Sequence, residues 1–300
     1  MAIKTVRAQI NGSWHNLTLN SSSGAYEATI QAPSVTSYNQ PGHYYNVTVE
    51  VTNTAGTQVT EDGSTLPSLQ LKVKETVAPV ITINSPTNGA RVTNNKQPVV
   101  FTITDEQNGS GIDLSTLVVS LNGSAVSGSE VVTQAITNGY KCTYTPAAAL
   151  SNGSNTVTVN VSDNDGNAAT QKTVKFTVDT VAPSLNVTSP ADDLLTNNPS
   201  LVVSGTTNDA TSSPVTVTIS LNDADQGTVN VGADGAFSKT VTLTEGSNTI
   251  VVKATDSAGN STTVERTVGL DTSVPEIVSA TITPNPVDAG ETMLISVVIE

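Results

Sequence analysis

Two histidines, one cysteine and a scatter of carboxylates are the residues with which this chain could do chemistry. Nucleophilic hydrolysis needs a nucleophile with a base positioned beside it. His15 and His43 sit in no HExxH, and neither a GxSxG nor a phosphate-cradling GxxxxGK[ST] occurs. Cys142 is alone, so no intrachain disulfide can form. In YKCTYT it alternates with Tyr140 and Tyr144 onto one strand face, the pattern of a small buried hydrophobe. No carboxylate pair stands out for glycoside hydrolysis. The expectation is a protein that is no enzyme.

Metal ligation is the other chemistry open to carboxylates, and Ca2+ takes about six to eight hard oxygens. If the elements are strands of a seven-stranded sandwich, the loops following the second and the sixth strands lie at the pole where the first strand begins. Asp105, Glu106, Asp113, Asp163 and Asp165 would then gather near Glu75, and Asp209 and Asp256 near Asp179. Two readings stay open: interdomain Ca2+ ligands, or turn formers bonded to their own backbone. No other cofactor is indicated. A candidate ligand surface comes from the aromatics, which are 3% of the chain yet cluster near its start. Trp14 and His15, with His43, Tyr44 and Tyr45, could stack a sugar ring or simply fill a small core.

The elements that would position these residues are short strands. Val and Thr suit a pleated, half-buried surface, and Gly and Asn suit turns. TVTVNVS puts Val157, Val159 and Val161 on one face with polar residues between them. Asn122-Gly123 and Asn138-Gly139 are hairpin-turn signals. No segment carries a 3.6-residue period.

The chain also repeats itself. ETVAPVITINSP (75–86) returns as DTVAPSLNVTSP (179–190) and, more loosely, as DTSVPEIVSATITP (271–284), after 104 and then 92 residues. GSNTVTVNVSDNDGNAA (from Gly153) and GSNTIVVKATDSAGNST (from Gly246) precede the later two copies. Such spacing is that of whole sandwich domains and not of a solenoid. This G-x-N-x-[IV]-x-V-x-x-x-D-x-x-G-N pattern, followed by a strand and D-T-x-x-P, resembles the bacterial Ig-like domains of surface adhesins and phage virion proteins. The opening, IKTVRAQINGSWHNLTLNSSSGAYEATIQAPS, is similar to Ig-like proteins in the tail modules of phages and prophages of Firmicutes.

The fold expected is all-β, with tandem Ig-like β-sandwiches joined by short linkers: a divergent domain over 1–74, complete domains over 75–178 and 179–270, and a partial segment of two strands over 271–300. At about 3.3 Å per strand residue and about ten residues per domain length, three domains would form a rod on the order of 100 Å long. The two terminal strands need cover, which another subunit or a return onto the third domain could supply.

The net charge of −14, from 12 basic and 26 acidic residues, excludes a nucleic-acid binder, which needs a basic footprint. It also disfavours anionic membranes, and no apolar run approaches the roughly 20 residues of a span. The start, MAIKTVRAQINGSW, has no secretory pattern. Taken as intact, the chain is expected to be made in the host cytoplasm, to work in a virion and to leave by lysis; the alternative location is the bacterial cell surface. The resemblance implies other virion or tail proteins as partners, host cell-surface glycans or proteins as targets, and a homo-oligomer in the particle.

Overall fold

The computed structural model describes residues 2–300, which divide into two compact units, one ending at Val178 and the other running Asp179–Glu300. In the first unit, β1 (Ile3–Ile10), β2 (Ser13–Leu19), β3 (Tyr26–Glu27), β4 (Tyr45–Asn46), β5 (Thr48–Asn53), β6 (Gln58–Asp62) and β7 (Gln70–Leu71) make up the N-terminal region. Five of them form one antiparallel sheet in the order β3-β2-β1-β5-β6, while β4 and β7 pair separately. The expected two-sheet sandwich is therefore reduced here to one sheet and a two-residue ladder. Residues 28–44 contribute no strand, and few apolar side chains, such as Val6, Ala8 and Tyr45, are buried.

The same unit continues with β8 (Val80–Ser85), β9 (Arg91–Val92), β10 (Val99–Thr104), β11 (Ile112–Leu121), β12 (Ser124–Ala125), β13 (Val131–Ile136), β14 (Gly139–Tyr144), β15 (Gly153–Asp163) and β16 (Lys172–Val178). They form two sheets, β13-β14-β10-β8 and β12-β11-β15-β16-β9. The alternating apolar residues of both meet in one core, with Phe101, Ile103, Tyr144, Val157, Val159 and Phe176 almost fully buried. Cys142 lies in that core, and burial pushes its thiol up to about 11, which holds it unreactive.

The second unit holds β17 (Ser184–Ser189), β18 (Leu194–Thr196), β19 (Ser200–Asn208), β20 (Thr216–Leu221), β21 (Ala224–Val229), β22 (Ala236–Thr242), β23 (Gly246–Thr255) and β24 (Ser261–Leu270). Its sheets run β17-β19-β22 and β18-β24-β23-β20-β21, closing over Val203, Val217, Ile219, Phe237, Ile250 and Val252. In both sandwiches the first strand, β8 or β17, pairs with β10 or β19 in one sheet. The chain then crosses at Pro86 or Pro190, which has no N–H for a ladder, and a short strand pairs in parallel with the last strand in the other sheet. This is the strand order of an immunoglobulin-type sandwich, and the second domain adds the extra edge strand β13.

The last strands, β25 (Ile277–Thr283) and β26 (Leu294–Ile299), pair only with each other among the described residues, and every residue in them is exposed. One turn differs from its expected form. The loop between β13 and β14 is Thr137-Asn138, with Asn138 at φ 56°, and Gly139 is already paired with Ile136. Glycine is needed at 139 for a different reason: a Cβ there would stand 2.0 Å from the Ile103 carbonyl oxygen.

Candidate functional site

The repeated motif builds the same device at the same pole of both complete domains. In the β15–β16 turn, Asp163 accepts the Asn167 N–H at 2.8 Å and the Asn167 side-chain amide at 2.8 Å. That amide also donates to the Glu75 carbonyl at 3.2 Å. In the β23–β24 turn, Asp256 Oδ1 accepts three backbone N–H groups, from Ala258, Gly259 and Asn260, at 2.7–2.9 Å. The Asn260 amide donates to Asp256 Oδ2 and to the Asp179 carbonyl, both at 2.9 Å. The G-N of each repeat is thus a clamp that fixes the residue opening the D-T-x-x-P or E-T-x-x-P phrase. At the opposite pole, the buried Asn155 and Asn248 tie the strand starts to Asn122 and Asn222 at 3.1 Å in each case.

The clamped residues join carboxylates from the loop after β10 or β19. Glu75, Asp105 and Glu106 offer oxygens within 4.8 Å of one another, and so do Asp179, Asp209 and Asp256. At an effective dielectric of about 20, each such pair of charges repels by roughly 3 kcal/mol. Asp105, 7% exposed, accepts the Gly111 N–H at 2.7 Å through Oδ2, while its Oδ1 and Glu106 Oε2 are buried without a partner. Burial, reinforced by the adjacent Asp105 and the Glu75 charge, raises Glu106 to about 7. Gly109 packs against this group, and a Cβ there would lie 2.6 Å from Asp105 Oδ2.

The other acidic residues expected beside Glu75 do different work. Asp113 caps its own turn through Ser115 at 2.6 and 2.9 Å. Asp163 is held inside the turn by Asn167. Asp165 accepts Thr36 Oγ1 at 2.5 Å and the Glu75 N–H at 3.1 Å, so it tethers the N-terminal region to the second domain. Asn39, donating to the Gly109 carbonyl at 2.6 Å, reinforces that tether.

Of the five residues of the candidate ligand surface, Trp14, His43 and Tyr45 each have their own partners. Trp14 lies under the Arg7 guanidinium at 4.2 Å, and Arg7 pairs with Glu50 at 2.8 Å. His15, the next strand residue, points to the other face of the sheet. His43 stacks on Tyr38 with centroids 4.3 Å apart and bonds its backbone carbonyl. Tyr44 is half-buried, and Tyr45 is buried with its hydroxyl on the Val35 carbonyl at 3.1 Å. Among the described residues no two of these five rings stack on each other.

Asn167, Asn260, Thr36 and Ser212 belong to these sites without having been singled out as site residues. The repetition of G-N was the available signal for the two asparagines; Thr36 and Ser212 had none. No helix of the described residues is long and apolar enough to cross a membrane.

Residues 77–180 match the family described as bacterial Ig-like domain, and residues 183–272 match glucodextranase, domain B. The PII-type proteinase of Lactococcus lactis subsp. cremoris is 30% identical over 145 residues, and Bacillopeptidase F of Bacillus subtilis (strain 168) is 31% identical over 135. Each alignment takes in 45% of this chain, and the chain spans only 7% and 9% of those relatives' lengths. Among solved structures, the fibronectin(III)-like modules of Clostridium thermocellum CbhA superpose with a TM-score of 0.41 at 18% identity, covering 63% of this chain and 93% of that one. A tetra-tandem repeat from the extending region of a large adhesion protein gives 0.33 at 19% identity, covering 98% and 79%. The chain is an all-β protein of tandem Ig-like sandwiches, a fold typical of modules that hold or bind and do not catalyse.

Proposed function

We propose that this chain is a non-enzymatic structural segment that spaces and presents other parts of an assembly under tension. The observation that carries this reading is the parallel pairing of an early short strand with the last strand in each complete domain, Arg91–Val92 with Thr177–Val178 and Leu194–Thr196 with Val268–Leu270. Pulling on the two ends of such a domain slides these strands past one another. All their cross-strand bonds are then loaded together, whereas an antiparallel pair at the ends would unzip one bond at a time. The asparagine clamps add a second hold where the chain enters each domain.

For its place of work we infer the tail of a phage or phage-tail-like particle, where the segment decorates the shaft or contacts the host envelope. The similarity of residues 3–34 to phage and prophage tail-module proteins supports this. A second reading, a repeat array of a cell-surface adhesin, is favoured by the repeated D-x-x-G-N and D-T-x-x-P pattern, which adhesin repeats share. Immunogold electron microscopy of an induced, lysed culture, with antibody raised against this chain, separates the two. The tail reading expects label on tailed particles, and its position on the tip or shaft divides host contact from decoration. Label confined to cell walls beside bare particles would overturn it in favour of the adhesin.

A further inference from the structure

We propose that the pole of the third domain binds one Ca2+ ion between Asp179, Asp209 and Asp256, as a site internal to that domain. Three separate stretches supply the ligands: the start of the D-T-x-x-P phrase, the loop after β19 and the β23–β24 turn. Their offered oxygens lie within 4.8 Å of one another. Oxygens that close can all touch one ion held at about 2.4 Å, a Ca2+ distance.

All three side chains are buried, at 0%, 9% and 5% exposure. Among the described residues no Lys, Arg or His forms an ion pair with any of them. Three buried carboxylates without a counter-charge are an unfavourable arrangement unless a cation joins them. An independent observation points the same way. Asp179 Oδ2 is buried with neither a hydrogen-bond donor nor water-accessible surface, and so is the nearby Ser212 Oγ, whose own backbone N–H is bonded to Asp209. A buried acceptor is rarely left without a partner.

The neighbouring oxygens are already aimed. Asp209 Oδ1 accepts the N–H groups of Thr211 and Ser212 at 2.8 and 2.6 Å, Asp179 Oδ1 accepts Val181 N–H at 3.1 Å, and Asp256 is held by its turn. Backbone donors fix these carboxylates in place. Acceptor-only oxygens held by a stiff backbone suit the irregular coordination of Ca2+ better than the near-ideal octahedron at about 2.1 Å that Mg2+ demands.

This site does not depend on where the chain works, so its failure would leave the structural reading standing. The test uses the full chain, stripped with chelator, titrated with CaCl2 and separately with MgCl2 in a calorimeter, and melted at each concentration. We expect saturable Ca2+ binding. At a hundredfold excess over the dissociation constant, the third-domain transition should rise by roughly 10 °C or more, with a smaller response to Mg2+. Asp179→Asn, which keeps an oxygen for the Val181 N–H, should lose one equivalent of Ca2+, and Asp209→Asn the same. Asp105→Asn should leave that equivalent in place. No response of the parent chain to millimolar Ca2+, an unchanged stoichiometry in Asp179→Asn, or equal stabilisation by Mg2+ would each overturn the proposal. If Asp209→Asn does not fold, the parent titration and Asp179→Asn decide.

Discussion

Replacing Asn248 by alanine tests whether the repeated asparagine holds the sandwich together. Asn248 is 0% exposed. Its amide donates to the carbonyls of Thr244 at 2.7 Å, Gly246 at 3.0 Å and, at the long limit of 3.5 Å, Val268, and its oxygen accepts the Thr244 N–H at 2.9 Å, the Thr244 hydroxyl at 3.1 Å and the Asn222 amide at 3.1 Å. Five bonds of ordinary length at about 1 kcal/mol each set the scale, and water reaching the exposed Thr244 and Gly246 recovers part of it, leaving a loss of about 3 kcal/mol. For a domain of about ninety residues that lowers the melting temperature by roughly 12–24 °C. Asn155, the equivalent residue, makes three longer side-chain bonds, at 3.1–3.2 Å, so Asn155→Ala should cost the second domain less. Scanning calorimetry of the full chain, with hydrogen exchange to assign each transition, reads both effects. A third-domain loss below about 1 kcal/mol, or equal shifts in both domains, would refute the reasoning.

Other outcomes follow from the same geometry. In chelator, Glu106 holds a proton in the folded state up to about pH 7, while the unfolded chain releases it near 4.5. The second domain should therefore lose stability as pH rises between those values, and Glu106→Gln should flatten that slope in pH-dependent melting curves. Gly139→Ala drives a Cβ into the Ile103 carbonyl, so β14 must pull away from β10; a loss of roughly 3 kcal/mol in urea unfolding is expected. Thr36→Val removes the bond to Asp165 and should speed hydrogen exchange around residues 36–39 while leaving the second domain's melting temperature within about 2 °C.

Much of the sandwich architecture was legible because it rests on period-two patterning. Val157, Val159 and Val161 alternate inward as their spacing implies. The poles were partly legible. Loop order in a sandwich brings Asp105 to Glu75, and Asp209 and Asp256 to Asp179, from topology alone. Spacing could not separate Asp163 from Asp256, which occupy the same motif position. Asp256 faces the clamped aspartate, whereas the second domain puts Glu106 into the cluster instead, a choice made by loop conformation around Gly109. The N-terminal region was least legible: its aromatics are close in sequence, but consecutive strand residues such as Trp14 and His15 point to opposite faces. Residues 28–44 follow no period from which a second sheet could be judged present or absent.

Single-molecule force spectroscopy on the full chain, held by tags at its two ends, addresses the central claim most directly. If each complete domain closes by parallel shear, stretching should give two high-force events. Each would release roughly 30 nm of chain, the length expected when about a hundred residues extend from one folded domain. Yielding of both domains at low force, in small irregular steps, would show that the parallel pairs do not resist tension and would contradict the account of this chain as a structural spacer.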